Sequence, residues 1–258
     1  MKYVEHPSTE LELEILSKYS DFLSHIDQPT DEMKMTAIKC NGRCIEYIKH
    51  PTEEMKMAAV TQDGNAIQFI YNPTEEMKMA AVTQDGNAIQ YISHPNNKVK
   101  LAAIESLPSA IRFITNPTTE MKILAVRNSS RAISYIDNPT PEVQMAAVTS
   151  FDSSISYIEH PTEEVQLFII KNSTSRICDI QKLSEKARML ILETVPLESM
   201  SVVRMLEKDT KPNKNMLYLA LKNLIEENNE YYIEYLFENK LIKYEELDES
   251  TKLLLELL

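Results

Sequence analysis

Glycine is scarce in this chain, at three of 258 residues, and tryptophan is absent. So few glycines exclude P-loops and dinucleotide fingerprints, which need several glycines where backbone meets phosphate. The three cysteines, Cys40, Cys44 and Cys178, form an odd set without zinc-ligand spacing, so a reduced, cytoplasmic setting is expected. No apolar run reaches the ~18 residues of a membrane span. The opening MKYVEHPSTELELE lacks the basic and apolar regions of a signal peptide. Basic side chains are outnumbered, 27 against 39 acidic, for a formal net charge of −12. That balance disfavours nonspecific binding to nucleic acid or anionic lipid and permits a basic partner.

What the chain does have is a repeat. Prolines fall at 7, 29, 51, 73, 95, 117, 139 and 161, each 22 residues after the last. The segments beginning at Pro51 and Pro73 are nearly identical, PTEEMKMAAVTQDGNAIQFI and PTEEMKMAAVTQDGNAIQYI. With Pro as position 1, position 17 is Ile from Ile45 to Ile177, and position 20 is Ile from Ile26 to Ile180. A fixed period of this length is the signature of stacked units that cannot cover their apolar faces alone.

Each position has a physical reason. Position 2 is Ser8, Thr30, Thr52, Thr74, Asn96, Thr118, Thr140 and Thr162, all side chains that cap a helix N-terminus. Acidic residues follow, as in Glu53 and Glu54, where the helix dipole favours negative charge. Lys34, Lys56 and Lys78 stand three residues after Asp31, Glu53 and Glu75 and should form surface ion pairs with them. Pro141 lands at the first helical position, where proline is tolerated. A helix over positions 3–12 is therefore expected, with apolar positions 5 and 7–10. Position 14 holds Gly42, Gly64 and Gly86, and the expectation is that glycine there adopts the left-handed conformation that ends a helix. A second, shorter helix should follow, burying Ala66, Ile67, Phe69 and Ile70. His-Pro or Asn-Pro should then force an extended turn.

These features predict an all-α fold: a right-handed α-solenoid of two-helix, 22-residue repeats. Residues 1–204 would form about nine repeats, with the first and ninth as degenerate caps, and residues 205–258 a helical C-terminal cap. Glu14 at position 8, where Thr36 and Ala58 stand in the following repeats, fits an end face that meets water.

The core A-A-V-x-Q-x-G-x-A-I-x-Y-I, at residues 58–70 (with Phe for Tyr) and 80–92, resembles a tandem repeat of phage, giant-virus, protist and bacterial proteins that carries the label of a domain of unknown function. HEAT-like repeats are more distantly similar. The resemblance covers 29–180 clearly, and 7–28 and 183–204 faintly. The short Pro-Thr turn departs from the longer, lysine- and aspartate-containing turn of that family. It implies a helical repeat and a viral or bacterial source, and it carries no catalytic residues.

No constellation points to catalysis. His6, His50, His94 and His160 share position 22 with Asn72, Asn116 and Asn138, which marks turn residues, and their spacing puts them in different repeats. His25 takes the aromatic slot at position 19 and should be partly buried. Cys44 replaces a small alanine, and no His–carboxylate pair is brought to any cysteine. The aromatic row Tyr47, Phe69, Tyr91, Phe113, Tyr135 and Tyr157 is expected in the core, against the alternative of a base-stacking platform. No catalytic residue, cofactor or metal ligand is assigned.

The candidate binding face is the ladder at positions 15 and 18: Arg43, Asn65, Gln68, Asn87, Gln90, Arg112 and Arg131, with an ordinary solvated face as the alternative. Residues 226–256 carry ten carboxylates against three lysines and add Tyr231, Tyr232 and Tyr235 as a second candidate surface. The expected function is a non-catalytic protein-binding solenoid, an adaptor or an inhibitor by occlusion, directed at a host protein if the source is viral. An acidic nucleic-acid mimic and an RNA-reading repeat protein are the alternatives, the latter disfavoured by the acidic balance.

Overall fold

A computed structural model describes residues 8–194 and scattered positions between 221 and 255. The described residues contain helices and no strand. The chain divides into two compact units, Met1–Asn138 and Pro139–Leu258.

Among its described residues the first unit carries six α-helices of ten residues: α1 (Thr9–Lys18), α2 (Asp31–Cys40), α3 (Glu53–Gln62), α4 (Glu75–Gln84), α5 (Asn97–Ser106) and α6 (Thr119–Asn128). Each is followed by a six-residue 3₁₀ helix: η1 (Ser20–His25), η2 (Gly42–Tyr47), η3 (Gly64–Phe69), η4 (Gly86–Tyr91), η5 (Pro108–Phe113) and η6 (Ser130–Tyr135). In the second unit α7 (Pro141–Ser150), α8 (Glu163–Asn172) and α9 (Glu185–Thr194) alternate with η7 (Asp152–Tyr157) and η8 (Thr174–Asp179). Within each unit successive α-helices pack side by side in chain order, and successive 3₁₀ helices do the same in a second layer. This is a helical-repeat solenoid, as the 22-residue period requires.

The α-helices start and stop where capping chemistry places them. The hydroxyl or amide oxygen at position 2 accepts the N–H of position 5 in every repeat, for example Met55 N–H to Thr52 Oγ1 at 3.2 Å and Val99 N–H to Asn96 Oδ1 at 3.0 Å. Each such cap stabilises its helix by about 1 kcal/mol. Pro141 occupies the first position of α7. The expected ion pairs form between Lys34 and Asp31 at 2.8 Å, Lys56 and Glu53 at 2.7 Å, and Lys78 and Glu75 at 2.7 Å.

The second helix is of the 3₁₀ type. Residues three apart eclipse one another in that geometry, so positions 14, 17 and 20 form one line. Gly64, Ile67 and Ile70 are all buried, with Ala66 beside them. Removing an isoleucine such as Ile67 from water stabilises the stack by about 1.5–3 kcal/mol, and the same gain recurs in every repeat. Runs of six 3₁₀ residues are long for this geometry. Here a buried line of period three and a row of stacked neighbours hold them.

Two backbone expectations are corrected. No glycine has a positive φ. A Cβ on Gly42 would lie 2.3 Å from the carbonyl oxygen of Ala59, and one on Gly64 would lie 2.3 Å from that of Ala81. Glycine is therefore present because the next repeat's backbone approaches too closely for a side chain. The left-handed residues are Asn72, His94, Asn116 and Asn138, with φ between 47° and 52°, so the turn before those prolines is not extended. Asparagine tolerates this conformation better than other residues bearing a Cβ.

Side-chain amides join the repeats. Gln84 Oε1 accepts the N–H of Gly64 at 2.7 Å, and its Nε2 donates to the carbonyl of Gln62 at 3.4 Å. In the second unit position 6 changes from Lys to the buried Gln144 and Gln166. Gln144 Nε2 donates to the carbonyls of Pro139 and His160, while its Oε1 accepts the N–H of Thr162 at 2.9 Å. Turn backbone that would otherwise lack partners is thereby satisfied. Glu14 is exposed and pairs with Lys18 at 2.8 Å, as a water-facing end requires.

Candidate binding face

The 3₁₀ geometry that buries positions 14, 17 and 20 turns positions 15 and 18 outward. Arg43, Gln68, Gln90, Arg112 and Arg131 are exposed. Asn65 and Asn87 are half-buried and differ from the rest. Asn65 Nδ2 donates to Asp85 Oδ2 of the next repeat at 2.8 Å, so this side chain links repeats rather than facing a partner. At the corresponding place beyond Asn87 stands Leu107, and Asn87 Oδ1 is buried without a hydrogen-bond partner. Gln68 Nε2 is turned back onto the carbonyl of Asn65 at 2.9 Å. Tyr231, Tyr232 and Tyr235 lie outside the described residues, as does His6.

The aromatic row is not core. Tyr47, Tyr91 and Tyr157 are 42, 41 and 44% exposed, and Phe69, Phe113 and Tyr135 are half-buried. Position 19 ends the 3₁₀ helix on its outer edge, out of line with the buried positions 17 and 20. His25 in the same slot is exposed as well, its ring stacked on Phe22 with centroids 5.9 Å apart. In the first unit arginines lie over this row. The Arg43 guanidinium sits 6.0 Å from the Phe69 ring, and that of Arg112 sits 4.5 Å from Phe113 and 5.7 Å from Tyr135. Such contacts hold a guanidinium flat without consuming its N–H donors. Beside Tyr47, the Glu46 carboxylate pushes the phenol pKa up by hydrogen bonding and by charge.

The Arg–aromatic face therefore combines position 15 (Arg43) or position 18 (Arg112) of one repeat with position 19 of the next. The ladder at positions 15 and 18 contains its arginines but not its aromatics.

Candidate chemistry elsewhere stays dispersed. Cys44 is buried, and burial raises its thiol pKa from 9.0 to about 11. Cys40 is exposed, with its Sγ 3.5 Å from the carbonyl of Ser17. His50, His94 and His160 are exposed at their separate turns. Among the described residues no three His, Cys, Asp or Glu side chains gather as a metal site, and no helix is long and apolar enough to cross a membrane.

No family model, curated protein or solved structure matches the chain.

Proposed function

We propose that the protein is a non-catalytic binding module, an adaptor or an inhibitor by occlusion, whose Arg–aromatic face in the first unit covers a surface of another protein. The observation that carries this reading is the row Tyr47, Phe69, Tyr91, Phe113 and Tyr135, one partly exposed ring per repeat, with Arg43 and Arg112 lying over it. Tyr and Arg dominate the energetics of protein interfaces because they bring large area at small entropic cost. Held on successive short helices, these side chains need little ordering on binding.

The nucleic-acid-mimic reading draws less support. The carboxylates of Asp31, Glu53 and Glu75 are engaged by Lys34, Lys56 and Lys78, which reduces the phosphate-like charge a mimic needs. One observation favours a second reading. Exposed rings spaced one per repeat suit stacking on successive bases of single-stranded RNA. Glu46 within the face and the net charge of −12 oppose it.

The test is affinity capture from native or host lysate with the wild-type chain and with Tyr91→Ser/Arg112→Ser, washed at low and high salt. The proposal expects one folded protein retained by wild type at both salts and lost from the variant. Capture of RNA, or of a nucleic-acid enzyme released by high salt, would replace it with one of the other readings.

A further inference from the structure

The repeat is regular enough that its exceptions carry information. Position 6 is lysine from Lys34 to Lys122. In repeats two to four the carboxylate at position 3 binds it. In repeat six position 3 is Thr119, and Lys122 has no carboxylate within 4.0 Å among the described residues. Position 18 of the preceding repeat is Glu46, Gln68 or Gln90 along most of the face, yet Arg112 before repeat six. Arg112 also lacks an ion pair within that distance among the described residues. Both exceptions line one cleft of about 430 Å³, together with Asn116 and Tyr135.

We infer that this cleft between η5 and η6 binds an oxyanion, a carboxylate or phosphate group, through Arg112 and Lys122. Lys100, with Asn97 at position 3, is likewise without an ion pair among the described residues; Lys122 shares its cleft with a second such cation, Arg112. The rings of Phe113 and Tyr135, 4.5 and 5.7 Å from the guanidinium, hold the Arg112 fork in place. A fork so held offers paired N–H donors to a planar carboxylate or a phosphate. Lys122 is half-buried, so its charge is less screened than that of a fully solvated lysine. The one carboxylate in the lining, Asp137, forms an ion pair with neither cation, and the cleft keeps a net positive charge. The volume, at the lower end of the range for ligand pockets, admits an oxyanion together with the group that carries it. The site lies on the Arg–aromatic face, but its anion binding does not depend on that face having a protein partner.

The test is a titration of the full chain at low ionic strength, followed by the Arg112 Nε–Hε resonance. The probes are inorganic phosphate and the blocked tripeptide acetyl-Ala-Glu-Ala-amide, with acetyl-Ala-Gln-Ala-amide as control. A saturable shift with phosphate alone assigns a free phosphate ligand, and one with the Glu peptide alone assigns an acidic side chain. A shift with both assigns the oxyanion itself. Thr119→Glu supplies Lys122 with the partner found in repeats two to four. It should weaken binding about two- to fivefold while leaving Tm unchanged. No saturable shift with either anion, an equal shift with the Gln peptide, or unchanged affinity in both Thr119→Glu and Lys122→Gln, which keep the Arg112 reporter, would overturn the inference.

Discussion

The side-chain amide of Gln62 accepts the backbone N–H of Gly42 at 2.6 Å and donates to the carbonyl of Cys40 at 3.3 Å. One side chain thus satisfies a donor and an acceptor of the preceding repeat, and Gln84 does the same one repeat later. Gln84→Leu keeps the apolar volume and leaves the N–H of buried Gly64 unpaired. A loss of about 1–3 kcal/mol is expected, read from urea denaturation. An unchanged midpoint would show that water replaces the amide without penalty.

Gly64→Ala separates two accounts of the same residue. In an ordinary helix the change is stabilising by about 1 kcal/mol. Here the added methyl meets the Ala81 carbonyl at 2.3 Å. Overpacking against backbone should cost about 1–3 kcal/mol, so thermal denaturation should show a lower Tm. A higher Tm would mean that the repeats can separate enough to accept the methyl.

Cys44 gives the stack a pH signature. Burial raises its folded-state pKa above the ordinary value, so the unfolded chain loses this proton first as pH rises. Stability contributed by the neutral thiol is complete below pH 9.0 and falls between there and about 11. Cys44→Ala puts in place the alanine that Ala66, Ala88, Ala110 and Ala132 provide in later repeats. The variant should lose less stability than wild type across that window in urea titrations. Parallel pH profiles would contradict the assignment.

Local chemistry makes much of the fold legible. The caps at Thr30, Thr52 and Thr74 act within one helical turn, so position 2 marks the helix starts, and positions 3–12 are helical as expected. The 3₁₀ character is not legible, because Ile67 and Ile70 stand three apart on one side of either helix type. The glycines mislead because their constraint comes from Ala59 and Ala81 in the following repeat. The same holds for Asn65, whose partner Asp85 is twenty residues away and arrives only through stacking. Tyr91 reads as core from its apolar ring beside Ile92, yet the turn of η4 leaves it 41% exposed. Thr119 in place of an acidic residue is plain in the sequence, but only the stack brings Lys122 and Arg112 to one cleft.

The most direct test of the account is the dissociation constant of the captured protein partner, measured for single alanine variants on two faces. Arg43→Ala, Tyr91→Ala and Arg112→Ala probe the 3₁₀ face; Lys39→Ala and Thr61→Ala probe the exposed side of α2 and α3. The account predicts that at least one variant of the first set weakens binding by about 1–2 kcal/mol or more, with Tm unchanged, and that the second set binds as wild type. Losses confined to the α-helical side would contradict it and move the binding face to the opposite layer.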